Sequence, residues 1–438
     1  MSDNGNEPST GKAPLSFLEG RTDHSDSLRK AVEEVMTLED ITLQSGSEPT
    51  RYRGHLNMPA HEAFARLRPQ FESLGHTPQM RREDDLDVIR AVNIVYSKET
   101  NNRNRLAILL LIATILSVFF VGVAGELYVS PLDVIFARLG YSGLVSNLDL
   151  LPTGAELRAA LLNGLWYTLA LLGILGAHEM GHYLMARKHK VNTTMPFFIP
   201  LPISILGTLG AVIAMREPAP NRRVQFDIGI AGPLAGLIVA VPVMLIGLGL
   251  SEIATAEDIL ADVPDEVEIG ILHEGNSLAY LGLKYAVFGE ILPDGNRDVW
   301  VHPVAFAAWA GFLVTALNLF PIGQLDGGHV MYGLFGDKAS VARWPIIALL
   351  SISAVAGTLS ELGIVELGVG WSGWWLLILM MIFLFKNHAP VLDEITELDP
   401  KRKAMGVLML VVFVLIFTPR PLVADAAPLA EAMIGWLV

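Results

Sequence analysis

Leu171-Leu-Gly-Ile-Leu-Gly-Ala-His178-Glu179-Met-Gly-His182-Tyr-Leu-Met-Ala186 sets two histidines and a glutamate in an apolar run with no other charge before Arg187. On a helix, His178 and His182 stand at i and i+4, on one face and one turn apart, where their imidazoles can share a zinc ion. Glu179, beside them, can take a proton from a water at the metal. Charged and metal-binding groups are expensive at membrane depth, so such residues in an apolar span mark a functional site. The bland alternative is three polar residues satisfied inside a helix bundle. A buried glutamate without a metal or a partner costs several kcal/mol, which weighs against it.

Composition points to a membrane protein. Hydrophobic residues make up 52% of the chain and charged residues 17%, with a mean hydropathy of +0.45; soluble domains carry about 25% charged residues. The net charge of −14 gives no reason to expect nucleic acid as a partner. There are no cysteines, so any zinc must be held by His, Asp or Glu.

The stretch before the first apolar run is different material. Residues 1–50 are rich in Ser, Glu, Asp and Gly, and read as a disordered tail. This tail lacks the apolar core of a secretory signal and is too acidic for an organelle transit peptide, so the membrane expected is a bacterial inner (plasma) membrane. Residues 51–105 become periodic. Pro59 to Leu67 reads as a helix and Asp84 to Val95 as a strand or short helix, giving a small soluble cytoplasmic α+β domain. Residues 106–438 form the membrane-embedded part, with a catalytic core over about 156–335.

Hydropathy places seven spans there. They run from Leu106 to Gly125, Arg158 to Ala186, Gln225 to Leu250, Pro303 to Phe320, Pro345 to Leu362, Trp371 to Phe385 and Ala404 to Thr418. The third contains Ala231-Gly-Pro-Leu-Ala-Gly236, whose small residues permit close helix approach. Pro419 to Val438 is too polar at its start for a clear span and is expected at the interface. Lys and Arg set the orientation. Arg103 and Arg105, Arg187-Lys188-His189-Lys190, Arg216 with Arg222 and Arg223, Lys338 with Arg343, and Lys386 with Lys401-Arg402-Lys403 all fall on the inside. The acidic loop from Ser251 to His302 falls outside. One segment does not fit a simple count. Val191 to Met215 begins and ends inside and is broken by Pro196, Pro200, Pro202, Gly207 and Gly210, so a re-entrant hairpin is expected, with an ordinary interfacial loop as the alternative.

The fourth span ends in Asn318-Leu-Phe-Pro321-Ile-Gly-Gln-Leu-Asp326-Gly-Gly-His329. Pro321 ends or kinks the helix and the glycines let the chain turn, offering Asp326 on the same side as the two histidines. Two histidines and a carboxylate, with a position left open for water, compose a hydrolytic zinc site.

These paired motifs resemble the site-2 protease family of intramembrane zinc metalloproteases, over roughly Leu161 to Leu334. Gly207-Thr-Leu-Gly210-Ala and Phe226 to Gly236 are most similar to the branch found in plastids and cyanobacteria. The outside loop of about 50 residues is too short for the PDZ domain that another branch carries. The resemblance implies zinc bound by His178, His182 and Asp326, Glu179 as general base and then acid, and Asn318 holding the substrate carbonyl or oxyanion. It implies an endopeptidase that cuts within or near the transmembrane segments of membrane-protein substrates, and it matches Pro200 to Met215 to an embedded β segment where substrate adds as a strand. His329 lies outside the family's core motif and could serve only as a second donor behind the ligands. Two other classes compete. A transporter would string polar groups along several helices, and a scaffold of the same fold would have lost Glu179 or a ligand; neither pattern is present.

Overall fold

The computed structural model describes residues 16–43, 49–96, 104–127, 154–255, 258, 272–295, 297–365, 369–383 and 391–424. Several sequence expectations lie outside the described residues: the first 15 residues of the tail, Arg103, Lys386, the middle of the outside loop, and residues 425–438 of the interfacial segment. The chain divides into two units.

The first unit takes residues 1–98 together with 219–222 and 391–397. Its elements are α1 (Ser16–Glu33), β1 (Met36–Thr42), β2 (Thr50–Leu56), α2 (Ala60–Ser73), β3 (Thr77–Glu83) and β4 (Leu86–Val92). The strands form an antiparallel sheet in the order β1-β2-β4-β3. Ile41, Tyr52, Ile89 and Met80 stand opposite one another across it, a row that joins Val32, Phe64, Leu67 and Phe71 in one core.

This start differs from the composition-based reading of residues 1–50. Ser16–Glu33 is helical, and Met36–Thr42 is a sheet strand paired with Thr50–Leu56. The polar side chains of β1 hide that role, because its stability comes from a partner strand rather than from its own sequence. Chain from far downstream completes the unit. The Met80 amide donates to the Leu392 carbonyl at 2.7 Å, the Glu394 amide donates to the Met80 carbonyl at 3.0 Å, and Leu392 is buried in the same core.

The second unit begins with α3 (Asn104–Glu126), α4 (Gly154–Lys188), the hairpin β5 (Phe197–Pro200) and β6 (Thr208–Val212), and α5 (Arg222–Gly249). There follow β7 (Glu252–Thr255), β8 (Leu272–Glu274), α6 (Leu278–Phe288), β9 (Arg297–Trp300) and α7 (Pro303–Asn318). Then come α8 (Asp326–Phe335), a 3-10 turn, α9 (Arg343–Glu361), α10 (Trp374–Phe383), α11 (Pro400–Ile416) and β10 (Leu422–Ala424). Four stretches are long and apolar enough to cross a membrane: Asn104–Glu126, Gly154–Lys188, Arg222–Gly249 and Asp326–Glu361. They make this a multi-span α-helical membrane protein, and large apolar side chains such as Leu116, Ile238 and Leu349 stand exposed on them.

Each of the seven expected spans overlaps a helix among the described residues, but only four stretches are long and apolar enough to cross. At about 1.5 Å per residue, the 16 residues of α7 reach roughly 24 Å, and the 10 residues of α10 less. The chain leaves α7 at Asn318, three residues before Pro321. The apolar stretch that hydropathy registers therefore exceeds the helix it forms.

Small residues set the helix crossings. A Cβ on Gly122 would come within 3.1 Å of the Gly164 Cα, locking α3 on α4, and one on Gly311 would meet Ile174 at 2.7 Å, locking α7 on α4. Tyr167, Leu171, Ile174, Leu248, Ala308 and Trp309 fill the core between them. The hairpin is tied to this frame at its tip. The Ser117 hydroxyl donates to the Gly207 carbonyl at 2.6 Å, and the Tyr167 hydroxyl donates to Leu206 at 3.3 Å. Lys284 of α6 is fully buried, its ammonium 2.8 Å from Asp298 and 3.5 Å from Glu274, a pairing without which a buried lysine would be costly.

Candidate metal centre

The centre is built from two helices and a turn. Helix α4 runs unbroken through His178-Glu179-Met-Gly-His182, so the two imidazoles lie one turn apart as their spacing requires. Asp326 is the first residue of α8. The turn that delivers it needs glycine after it: a Cβ on Gly327 would lie 1.9 Å from the Leu319 carbonyl oxygen, and one on Gly328 would lie 2.3 Å from that of Gly323. Residues 319–325 therefore fold back over the start of the helix and press Asp326 toward α4.

Three atoms converge. Asp326 Oδ2 is 3.3 Å from His178 Nε2 and 3.2 Å from His182 Nε2, and the two Nε2 atoms are 3.2 Å apart. A tetrahedral ion with bonds of about 2.0 Å holds its ligand atoms roughly 3.3 Å apart, so these three atoms fit one face of a zinc tetrahedron. Among the described residues, His178, His182 and Asp326 form the candidate metal cluster. No thiolate competes for the ion, because the chain has no cysteine.

Helix α5 forms the wall behind the ligands. The Ile228 carbonyl oxygen is 2.7 Å from His182 Nδ1, an arrangement that fixes the ring and leaves Nε2 for the metal. The run of small residues marked in the sequence closes on these rings. A Cβ on Gly232 would overlap His182, and one on Gly236 would sit 3.3 Å from His178 Nδ1. That Nδ1 is buried and meets no hydrogen-bond partner.

Glu179 is buried beside its ligand neighbour, and Asn318 places Nδ2 3.3 Å from His178 Nε2. Both line one cavity with the three ligands. His329 borders that cavity too, its Nδ1 3.0 Å from Gln225 Nε2. Val212, Ile213 and Met215, at the end of β6, form a further wall. Every site residue named from the sequence is thus in one place. Ile228, Gln225 and Gly232 were not named. Ile228 acts through its backbone, which leaves no trace in residue type, whereas the small-residue run did signal a close approach without identifying what approached.

Known proteins place this core. Residues 166–352 match Peptidase family M50. The chain is 32% identical over 253 residues to the "Probable zinc metalloprotease EGY1, chloroplastic" of Arabidopsis thaliana, covering 57% of this chain and 41% of that protein. It is 30% identical over 277 residues to the "Probable zinc metalloprotease EGY2, chloroplastic" of the same plant, covering 63% and 43%. A match to EGY1 of Oryza sativa subsp. japonica, at 29% over 321 residues, covers 72% and 50%. The chain thus spans between two-fifths and half of these relatives' length. No solved structure matches it. The two histidines and the aspartate all lie inside residues 166–352, and that stretch of the chain matches peptidase family M50, the site-2 protease family.

Proposed function

We propose that this protein is a zinc-dependent intramembrane endopeptidase that hydrolyses peptide bonds within or near transmembrane segments of membrane-protein substrates. The observation that carries the proposal is the convergence of His178 Nε2, His182 Nε2 and Asp326 Oδ2 at 3.2–3.3 Å beside the carboxylate of Glu179. When bound, the zinc ion supplies Lewis-acid polarisation and brings the pKa of water at the site to about 7.

The protein's own groups do the rest. Glu179 takes the proton from the attacking water and returns it to the leaving amine. Asn318 orients the scissile carbonyl from the end of α7. Helix α5 holds His182 in the tautomer that can act as a ligand. A substrate helix has its carbonyls hydrogen-bonded internally, so it must unwind before attack, and β6 offers an unwound segment a partner. The hairpin has two strands, and among the described residues the second edge of β6 pairs with no other strand. An extended substrate can add there beside the cavity. The chain crosses the membrane seven times in this reading, with its N-terminal unit and the metal centre toward the cytoplasm, as the Lys and Arg distribution favours.

Purification in detergent, metal analysis and incubation with a generic transmembrane substrate test the reading. About one zinc per chain and chelator-sensitive cleavage are expected. A chain that binds no zinc and cuts nothing refutes it.

A further inference from the structure

A second charged cluster lies just beyond the metal centre, at the ends of the helices that build it. Asp227 of α5 accepts two hydrogen bonds from one guanidinium, from Arg402 Nε to Oδ1 at 2.7 Å and from Nη2 to Oδ2 at 2.6 Å. Its Oδ2 is also 3.0 Å from Nε2 of His189, which follows directly on the His-Glu-x-x-His helix α4. Arg402 is itself fixed. It sits in the first turn of α11, its amide donates to the capping carboxylate of Asp399 at 3.1 Å, and its Nη1 donates to the same carboxylate. Asp227 is largely buried, with 14% of its side chain exposed.

The adjacent residue matters most. Ile228, next to Asp227, is the one whose carbonyl oxygen is 2.7 Å from His182 Nδ1. A shift of Asp227 along the axis of α5 would carry that carbonyl with it. Two-point contact between a planar guanidinium and a carboxylate resists both sliding and rotation, which a single ammonium does not. The tie to His189 then couples the same carboxylate to the helix that bears both histidine ligands.

We infer that Arg402 and Asp227 are positioning residues of the metal centre: α11 clamps α5 through Asp227 and so holds the Ile228 carbonyl on His182. Helix α11 lies outside the stretch that matches the family, residues 166–352, so the clamp extends the functional unit beyond it. The inference rests on the reading of His178, His182 and Asp326 as a metal site.

The test uses the full chain in detergent, loaded with zinc or with cobalt(II) as a spectroscopic substitute. Arg402→Ala, Arg402→Lys and Asp227→Asn are compared with the parent, and Lys401→Ala in the same turn is the control. Zinc retention against a graded chelator is expected to weaken about tenfold, the lower end of what losing an outer partner of a metal ligand costs. The cobalt absorption spectrum, which reports ligand geometry, is expected to change in the same variants and not in the Lys401→Ala control. Arg402→Lys keeps the charge and removes the two-point contact, so it separates geometry from net charge if Arg402→Ala folds poorly. Variants that lose thermal stability yet keep the parental spectrum and zinc retention would overturn the clamp and leave α11 a packing element. A parent that binds no metal would refute the metal reading itself, and the clamp with it.

Discussion

Of the two glycines of α5 that face the ligand rings, Gly232 stands nearer, and adding one methyl group there gives a graded test. A Cβ built on Gly232 falls 2.1 Å from His182 Nε2, 2.4 Å from Cδ2 and 2.5 Å from Cε1. Ordinary contact begins near 3.4 Å, so the ring must retreat by about 1.3 Å in Gly232→Ala. Metal–ligand distances tolerate only about 0.2 Å, so the imidazole can no longer share an ion with His178 and Asp326. The overpacking itself costs about 1–3 kcal/mol, which a membrane helix bundle can survive. Zinc retention should therefore fall by more than the roughly 10–100-fold typical of losing an outer-shell partner. Two further alanines calibrate the result. Gly236→Ala places its Cβ 3.3 Å from His178 Nδ1, so relief of about a tenth of an ångström suffices and zinc is expected to be nearly retained. Gly173→Ala meets nothing within 4 Å and is expected to be neutral, or slightly stabilising because alanine is the better helix former. Zinc per chain after gel filtration, with and without chelator, reads the series, and thermal midpoints show that each variant is folded. Full zinc in folded Gly232→Ala would mean that α5 does not stand against His182 as described.

Other consequences can be measured with the same preparations. Glu179→Gln is expected to keep zinc and abolish cleavage, because the amide cannot accept the proton; undiminished turnover would remove Glu179 from the mechanism. Asp326→Ala should lose both zinc and activity, since two imidazoles alone hold the ion poorly, and full zinc content would place the third ligand elsewhere. Ile213→Pro removes a backbone donor where the hairpin borders the cavity, so cleavage should drop while zinc stays bound; parental cleavage would reduce the hairpin to a packing element. The chain has no cysteine, so Asp294→Cys introduces a single thiol in the segment between α5 and α7. Labelling of intact cells by an impermeant reagent is expected, and labelling only after lysis would invert the orientation.

How far the sequence could be read follows from where each interaction partner lies. His178, Glu179 and His182 are local to one helix turn, and their spacing alone determines a shared face. Asp326 was legible because Pro321 and the glycines force the chain to turn just where a carboxylate follows. The hairpin was legible for the same reason, since Pro196, Pro200 and Pro202 exclude a helix. Interactions between distant segments left no such mark. Arg402 reaches Asp227 across 175 positions, and in the sequence both look like ordinary charges at helix ends. Strand β1 was missed because its partner, not its own polar residues, makes it a strand. Residues 391–397 join a sheet begun some 300 residues earlier, a contact that no local pattern announces.

That last contact bears on how the protein is made. Strand β3 is an edge of its sheet, and Met80 at its centre bonds to Leu392 and Glu394. During translation the four strands emerge first, and the membrane helices follow. Until residue 394 has left the ribosome, the Met80 amide and carbonyl have no permanent partner, and an open sheet edge invites pairing with other chains. The small unit is therefore finished only after nearly all of the membrane part has been synthesised. A fragment ending before residue 391 would carry every strand of the sheet and still expose that edge, so a cell that clears proteins with exposed edges would detect a truncated chain through this small sheet.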